Sequence, residues 1–226
     1  MTKRVLRFAP SPTGYLHVGN IRTALFNYLQ SKKVGAEFIL RLDDTDQERS
    51  SKHFIDQIKR DLEWLGISWD RIEQQSLRME RYWEVLTKLK DQKVVYECFE
   101  TPLELDLKRK KQQNHGLPPV YDRAALELSI EKKNVLRNKN DSHWRFFLSG
   151  ETVTWRDKIA GEITIRTSSV SDPILVKGNG QFLYTLASVI DDIDFGITDV
   201  VRGIDHLTNT ACLLYTSDAA DDRSCG

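Results

Sequence analysis

Apolar residues open the chain as a short run from Val5 to Phe8. The run breaks at Ala9-Pro10-Ser11-Pro12-Thr13-Gly14, where two prolines and a glycine forbid regular structure. The pattern predicts a strand that feeds a loop. From Val18 onward, Ile21, Ala24, Leu25, Tyr28 and Leu29 recur at the helical period, so a helix begins close to His17 and Gly19. Phe38, Leu40 and Leu42 then alternate with Ile39 and Arg41, predicting a strand that ends at the carboxylates Asp43, Asp44 and Asp46. A second helix presents Ile55, Ile58, Leu62 and Leu65 on one face and stops at Gly66. Tyr82, Val85, Leu86 and Leu89 mark a third.

The texture changes between about Thr101 and Asn140, a charged, helix-prone stretch that holds the run Lys108-Arg109-Lys110-Lys111. That run is either a solvated helix face or a phosphate-contacting surface, and the residues alone leave both open. Farther on, Thr152 to Trp155 and Glu162 to Ile165 alternate like paired strands, and Lys177-Gly178-Asn179-Gly180 signals a turn between apolar runs. Tyr184 to Ile190 reads as helix and Asp199 to Arg202 as another core strand. Alternating strand and helix at the start argues for an α/β fold with a parallel sheet wound by crossover helices. Ligands of such folds gather at the carboxyl ends of the strands, where both polar clusters fall.

Composition sharpens this only a little. The 226 residues are 40% hydrophobic, enough for one domain or two small ones. Charged residues make up 29% but sum to a net charge of +0, so no global field draws the protein to nucleic acid or membrane, and any RNA contact must be local. Cys98, Cys212 and Cys225 are odd in number and show no framework spacing, which argues against a disulfide scaffold and for a reducing cytosol. No apolar run reaches signal-peptide or membrane-span length, so a soluble cytoplasmic protein is expected.

The loop and helix start at APSPTGYLHVGN have the features of an anion site, because a strand feeds a glycine-containing loop and helix amides point outward at its end. His17 can donate to a phosphate oxygen, and Gly19 removes a side chain that would hold a nucleotide away. The string RFAPSPTGYLHVGNIRTALFNYL resembles the first signature of class I aminoacyl-tRNA synthetases, with HVGN standing where that family has a His-Ile-Gly-His pattern. APSPTG is similar to the glutamyl branch in particular. RLDDTDQERS, DLEWLGISWD and DPILVKGNGQFLYTLASVIDDIDFGITDVVRGIDHLTNT resemble later blocks in the same order, from about Arg7 to Ala211.

The resemblance implies a Rossmann-like nucleotide-binding fold interrupted by an inserted acceptor-stem-binding α/β subdomain. It implies ATP with Mg2+, L-glutamate and tRNA(Glu) as partners, with the carboxylate attacking the α-phosphate and the glutamyl group then passing to tRNA. Neither step needs an enzyme nucleophile, so positioning and charge stabilisation carry the chemistry. His17 and Gly19 match the signature positions that hold ATP, joined by Asn20, Asp205 and His206. By the same likeness Arg7 and Tyr184 would recognise the side-chain carboxylate of glutamate, Ser11 and Asp43 its amino group, and Arg202 its α-carboxylate end. Asp43 departs from the pattern, which has a glutamate one methylene longer at that place. Arg49 matches a position near the tRNA acceptor end.

The implied domains are 1–100 and 146–211 for the catalytic fold and about 101–145 for the charged part of the insertion. Many relatives carry zinc there in two ligand pairs. Here Cys98-Phe99-Glu100 is followed by no second pair, so no zinc is expected. The family's second ATP signature, a lysine-rich loop, does not occur in these residues. The stretch 212–226, CLLYTSDAADDRSCG, shows neither helix pattern nor family likeness; it resembles translated adapter read-through and is expected to carry no function. The enzyme is expected to be a monomer and this piece inactive alone. The alternatives are a non-catalytic truncated paralogue that binds nucleotide or tRNA, and a glutamyl relative acting on the glutamine isoacceptor or in tRNA modification.

Overall fold

The computed structural model describes residues 3–139 and 142–220. They form two compact units, one of Met1–Trp83 with Ala187–His206 and the other of Glu84–Leu186 with Leu207–Gly226. In the first, β1 (Val5–Phe8), β2 (Glu37–Leu42) and β3 (Arg71–Gln74) make a parallel sheet in the order β1-β2-β3. Leu6 lies opposite Phe38, and Leu40 opposite Ile72. Helix α1 (Val18–Val34) connects β1 to β2, and α2 (Lys52–Trp64) connects β2 to β3, which is the crossover winding the pattern predicts.

Local chemistry sets the helix limits. His17 caps α1, its side chain accepting from the Gly19 amide while the Asn20 side chain accepts from the His17 amide; Gly35 closes the helix at φ 62. Ser51 caps α2, and Gly66 at φ 71 ends it, where the apolar pattern stops. Leu6, Phe8, Phe38, Leu40, Leu42, Ile58 and Leu62 form the core beneath the helices. Ile39 and Arg41 are also buried, so β2 is covered on both faces, as strands of wound parallel sheets are. The alternation of Phe38, Leu40 and Leu42 with Arg41 therefore does not separate a wet face from a dry one.

The predicted strand from Asp199 to Arg202 reduces to one parallel bridge between Leu6 and Asp199. Side chains take over the ladder: Thr198 Oγ1 accepts from the Val5 amide at 3.0 Å, and Asn27 Nδ2 donates to the Val201 carbonyl at 3.1 Å.

The second unit is antiparallel. After α3 (Met79–Asp91), β4 (Val95–Cys98) pairs with β5 (His143–Phe146), which pairs with β8 (Ile174–Val176). α4 (Pro102–Asn114) starts from a Thr101/Glu104 capping box with proline in its first turn, and α5 (Ile130–Arg137) is capped by Ser129. β6 (Thr152–Asp157) and β7 (Gly161–Arg166) make the expected hairpin, turned at Gly161 with φ 82. The turn at Lys177–Gly180 also forms, the Gly180 amide donating to the Lys177 carbonyl. α6 (Tyr184–Asp194), the predicted late helix, starts in this unit and belongs to the first from Ala187 onward.

The tail departs from expectation. α7 runs Leu207–Ala220, so residues 212–220 are helical. Ala211, Cys212 and Thr216 are buried on one side of it, and Tyr215 meets the ring of Phe146 edge-on at 5.9 Å. Those residues are spaced at i, i+1, i+4 and i+5, a helical stripe too short for a periodicity scan to separate from its polar neighbours. Cys225 and the acids Asp221 and Asp222 lie outside the described residues. Among the described residues no helix is long and apolar enough to cross a membrane.

Candidate functional site

The first unit gathers its polar chemistry at the carboxyl ends of β1 and β2, where open parallel sheets bind ligands. Backbone bonds fasten the two strand-end loops to each other, the Asp43 amide donating to Pro10 and the Ser51 amide to Pro12. Buried Asp44 accepts from the Ser76 amide at 2.8 Å and from Gln74 Nε2 at 2.6 Å, tying the end of β2 to the residues after β3. Ser11 stands exposed on this rim.

His17 is exposed at the start of α1. Its Nδ1 accepts from the Gly19 amide at 3.1 Å. A ring nitrogen that accepts carries no proton, so in the neutral ring Nε2 holds the hydrogen and is a donor toward the open end of the helix. Gly19 also has a packing role. A Cβ placed there would lie 2.9 Å from His17 Cε1 and 3.0 Å from Nδ1, so glycine is what lets the imidazole fold back as a cap. Asn20 completes the cap by accepting from the His17 amide at 3.2 Å.

Beneath this rim lies a network that the sequence pattern did not reveal. Arg7 is 5% exposed and donates through Nε and Nη2 to the two oxygens of Asp192, both at 2.9 Å. Asp199 pairs with Arg4 instead. Arg41 is 1% exposed and donates to Asp43 through Nε at 2.6 Å and Nη2 at 3.0 Å, to Asp192 through Nη1 at 2.8 Å, and to Ser188 Oγ at 3.1 Å. Asp191, fully buried, accepts from Gln75 Nε2 and Arg78 Nε, each at 2.8 Å, and from the Tyr82 hydroxyl at 2.9 Å.

Burial opposes the charge on Arg41, but Asp43 and Asp192 outweigh it and raise its pKa. Burial likewise opposes ionisation of Asp192, yet Arg7 and then Arg41 hold it below the usual carboxylate range. Burial first, then Asp191, pushes the Tyr82 hydroxyl up, so it stays a donor. One signal in the sequence could have found this network: an arginine inside the apolar strand FILRL requires buried acids, and the adjacent pair Asp191-Asp192 on an apolar helix supplies them.

The other expected residues fall differently. Asp43 belongs to Arg41, which occupies both of its oxygens. Arg49 forms an exposed ion pair with Asp46 at 2.6 Å. Arg202 is half-buried in the segment after the Leu6–Asp199 bridge, and His206 ends the short 3-10 turn Ile204–His206. Tyr184, 39% exposed, opens α6 in the second unit.

In the second unit Cys98, Glu100 and His143 bring one ligand atom each to within 4.8 Å of one another. His143, on β5, is the donor that a search for nearby sequence pairs misses. Burial and then the charge of Arg145 lower its pKa to about 4, and burial pushes the Cys98 thiol up to about 11. The trio does not fit a zinc site. Among the described residues it is one ligand short of the closed tetrahedral set, and its carboxylate already accepts from other donors: Lys108 Nζ donates to Glu100 Oε1 at 3.1 Å, and the Tyr121 hydroxyl donates to the same oxygen at 2.8 Å. Arg145 lies 4.0 Å from the centre of the Tyr121 ring. Among the described residues, Glu100 Oε2 and His143 Nε2 have no hydrogen-bond partner.

The basic run of α4 splits in two. Lys108 is committed to Glu100 and Asp122, and Lys110 to Asp106, whereas Arg109 and Lys111 are exposed beside a cavity of about 260 Å³ lined also by Gln112, Tyr121 and Ser171.

The sequence matches a family model along nearly all of its length. Residues 3–220 fit the model of tRNA synthetases class I (E and Q), catalytic domain. The chain belongs to this family. Among curated class I synthetases it is 62% identical over 214 residues to glutamate–tRNA ligase 1 of Roseobacter denitrificans, covering 94% of this chain and 48% of that protein. It is 60% identical over 212 residues to glutamate–tRNA ligase 1 of Ruegeria pomeroyi, covering 93% and 48%. A crystal structure of a glutamate tRNA ligase from Elizabethkingia meningosepticum in complex with its amino acid superposes with a TM-score of 0.87 at 33% identity, covering 96% of this chain and 47% of that one. The chain thus spans about half the length of the synthetases it matches. The family match extends to residue 220, past Ala211, in line with the helix found there.

Proposed function

We propose that the whole protein activates L-glutamate with ATP and Mg2+ and transfers the glutamyl group to the 3′ end of tRNA(Glu), and that these residues supply the amino acid and adenylate site. The observation that carries this is the pairing of a cation held in a buried cradle, Arg7, with an anion-ready helix start at His17 at the ends of one parallel sheet. An α-carboxylate oxygen of glutamate attacks the α-phosphorus of ATP, and the bond to pyrophosphate breaks. A ribose hydroxyl of the terminal adenosine of tRNA then attacks the acyl carbon, and AMP leaves.

In this reading His17 Nε2–H and the first amides of α1 bind the phosphates, with Asn20 setting the cap and Asp205 and His206 adding to the nucleotide site. Magnesium bound with ATP would supply charge neutralisation at the phosphates. Arg7 binds the side-chain carboxylate, assisted by Tyr184, and Arg202 the α-carboxylate. Ser11 serves the amino group, and Asp43 contributes only what the Arg41 clamp leaves free. Arg49, with the exposed Arg109 and Lys111 of α4, contacts the tRNA acceptor end. No zinc takes part.

The test is glutamate-dependent exchange of pyrophosphate into ATP, with and without tRNA, on protein of the relatives' full length. Exchange that depends on glutamate supports the reading, and none under either condition rejects it. The 226 residues alone, which include no lysine-rich signature loop, are expected to show little exchange.

A further inference from the structure

Arg7 is buried, and only one edge of its guanidinium is in use. Nε and Nη2 meet the two oxygens of Asp192 side-on, while Nη1 has no hydrogen-bond partner among the described residues. Asp192 is shared, because Oδ1 also accepts from Arg41 Nη1 at 2.8 Å. Arg41 cannot follow if Asp192 moves. Its remaining nitrogens are tied to Asp43, and its Nη1 also reaches the Ser188 carbonyl at 3.4 Å. Asp191 lies 3.7 Å behind it and is held in turn by Gln75, Arg78 and Tyr82.

A long arginine side chain that must present a defined edge to a carboxylate loses affinity if it has first to be ordered. A partner that fixes its other edge removes that cost. We propose that Asp192 is a positioning residue for amino-acid recognition: it clamps the Nε/Nη2 edge of Arg7, leaves Nη1 for the side-chain carboxylate of glutamate, and is itself held from behind by Arg41. This rests on the reading of Arg7 as the group that binds glutamate. Asp192 does not touch the ligand and acts through Arg7.

The experiment is titration calorimetry of the chain with glutamate, and separately with ATP, on Asp192→Asn, Asp192→Glu, Arg7→Ala and the Arg7→Ala/Asp192→Asn pair. Asp192→Asn is expected to weaken glutamate binding about tenfold or more while ATP stays within about twofold, since a charge-assisted contact is lost on one ligand only. Asp192→Glu should recover part of the loss, and adding Asp192→Asn to Arg7→Ala should change glutamate affinity no further. The Nε–H resonance of Arg7 in an arginine-selective nitrogen-15 spectrum needs no ligand. It should be protected from solvent exchange in the parent and exposed in Asp192→Asn.

Parent-like glutamate affinity in Asp192→Asn, or an Arg7 Nε–H that stays protected there, overturns the proposal. So does a loss shared equally by glutamate, ATP and the melting temperature, which would mark a purely structural pair. If Arg7→Ala binds glutamate like the parent while the Arg7 resonance still responds to Asp192→Asn, the clamp exists and the assignment of Arg7 to glutamate is what fails.

Discussion

The two units spend buried charge in opposite ways. In the first, Arg7, Arg41 and Arg78 face Asp43, Asp191 and Asp192, and nearly every oxygen and nitrogen of that set has a partner at hydrogen-bond distance. In the second, the comparable cluster around Cys98 leaves Glu100 Oε2 and His143 Nε2 unpartnered among the described residues. A fully satisfied network holds one geometry, which a binding site requires, whereas a partly satisfied one is where a fold yields first. The lesson is that buried charge alone does not mark a site. Complete pairing around one arginine edge that is still available does.

The largest blow to this contrast would come at Arg41. Arg41→Ala strands Asp43, Asp191 and Asp192 together in a buried space and is expected to cost about 3–5 kcal/mol in urea unfolding. A cost below about 1 kcal/mol would mean the network is wetter than its burial indicates.

Acid should separate the units next. His143 is held neutral, its pKa lowered to about 4 by burial and by Arg145, while the unfolded imidazole protonates near its ordinary value of 6.5. The unfolded chain therefore takes the proton first, so the second unit loses stability as pH falls from 6.5 toward about 4. Asp192 behaves otherwise. Its depressed pKa makes a contribution that is complete above 3.8 and is lost only as pH falls below that value. Hydrogen exchange at pH 5 should thus show β5 loosening while β1 and β2 remain protected, and His143→Phe should remove the difference. Equal loosening of both sheets would break the comparison.

A smaller effect is expected at Gly19→Ala, which pushes the His17 ring off the helix start and removes a cap worth about 1 kcal/mol. Amide exchange in the first turn of α1 reads it directly. Added zinc should leave the melting temperature unchanged, because the Cys98 cluster has no fourth ligand among the described residues; a zinc-dependent rise would show that Tyr121 or water completes it. Arg49→Ala, which breaks only an exposed pair with Asp46, should change stability by less than about 0.5 kcal/mol.

The local pattern was enough for the winding of the first unit, since Val5 to Phe8, the α1 stripe and Phe38 to Leu42 carry their periods within a few residues. The hairpin at Gly161 and the helix stops at Gly35 and Gly66 are likewise local, because a positive φ favours glycine and each of these three positions has one. His17 was legible as a helix-start residue because the apolar stripe of α1 begins right after it. The short strand at Asp199 was misjudged because Thr198 and Asn27, distant in sequence from β1 and Val201, take the bonds a ladder would have used.

By itself, then, the sequence determined the α/β class, the order of elements in the first unit, the family and the positions of Arg7 and His17 at strand and helix ends. Only the tertiary structure decided that Arg41 lies inside rather than on a wet face, that Asp43 answers to Arg41, that Asp192 holds Arg7, and that His143 joins Cys98 from 45 residues away. The reason is physical. Periods of two and 3.6 report neighbours along one element, whereas an ion pair is selected by the cost of leaving a charge buried and unpaired, and that cost is set by whichever chain segment the fold brings alongside.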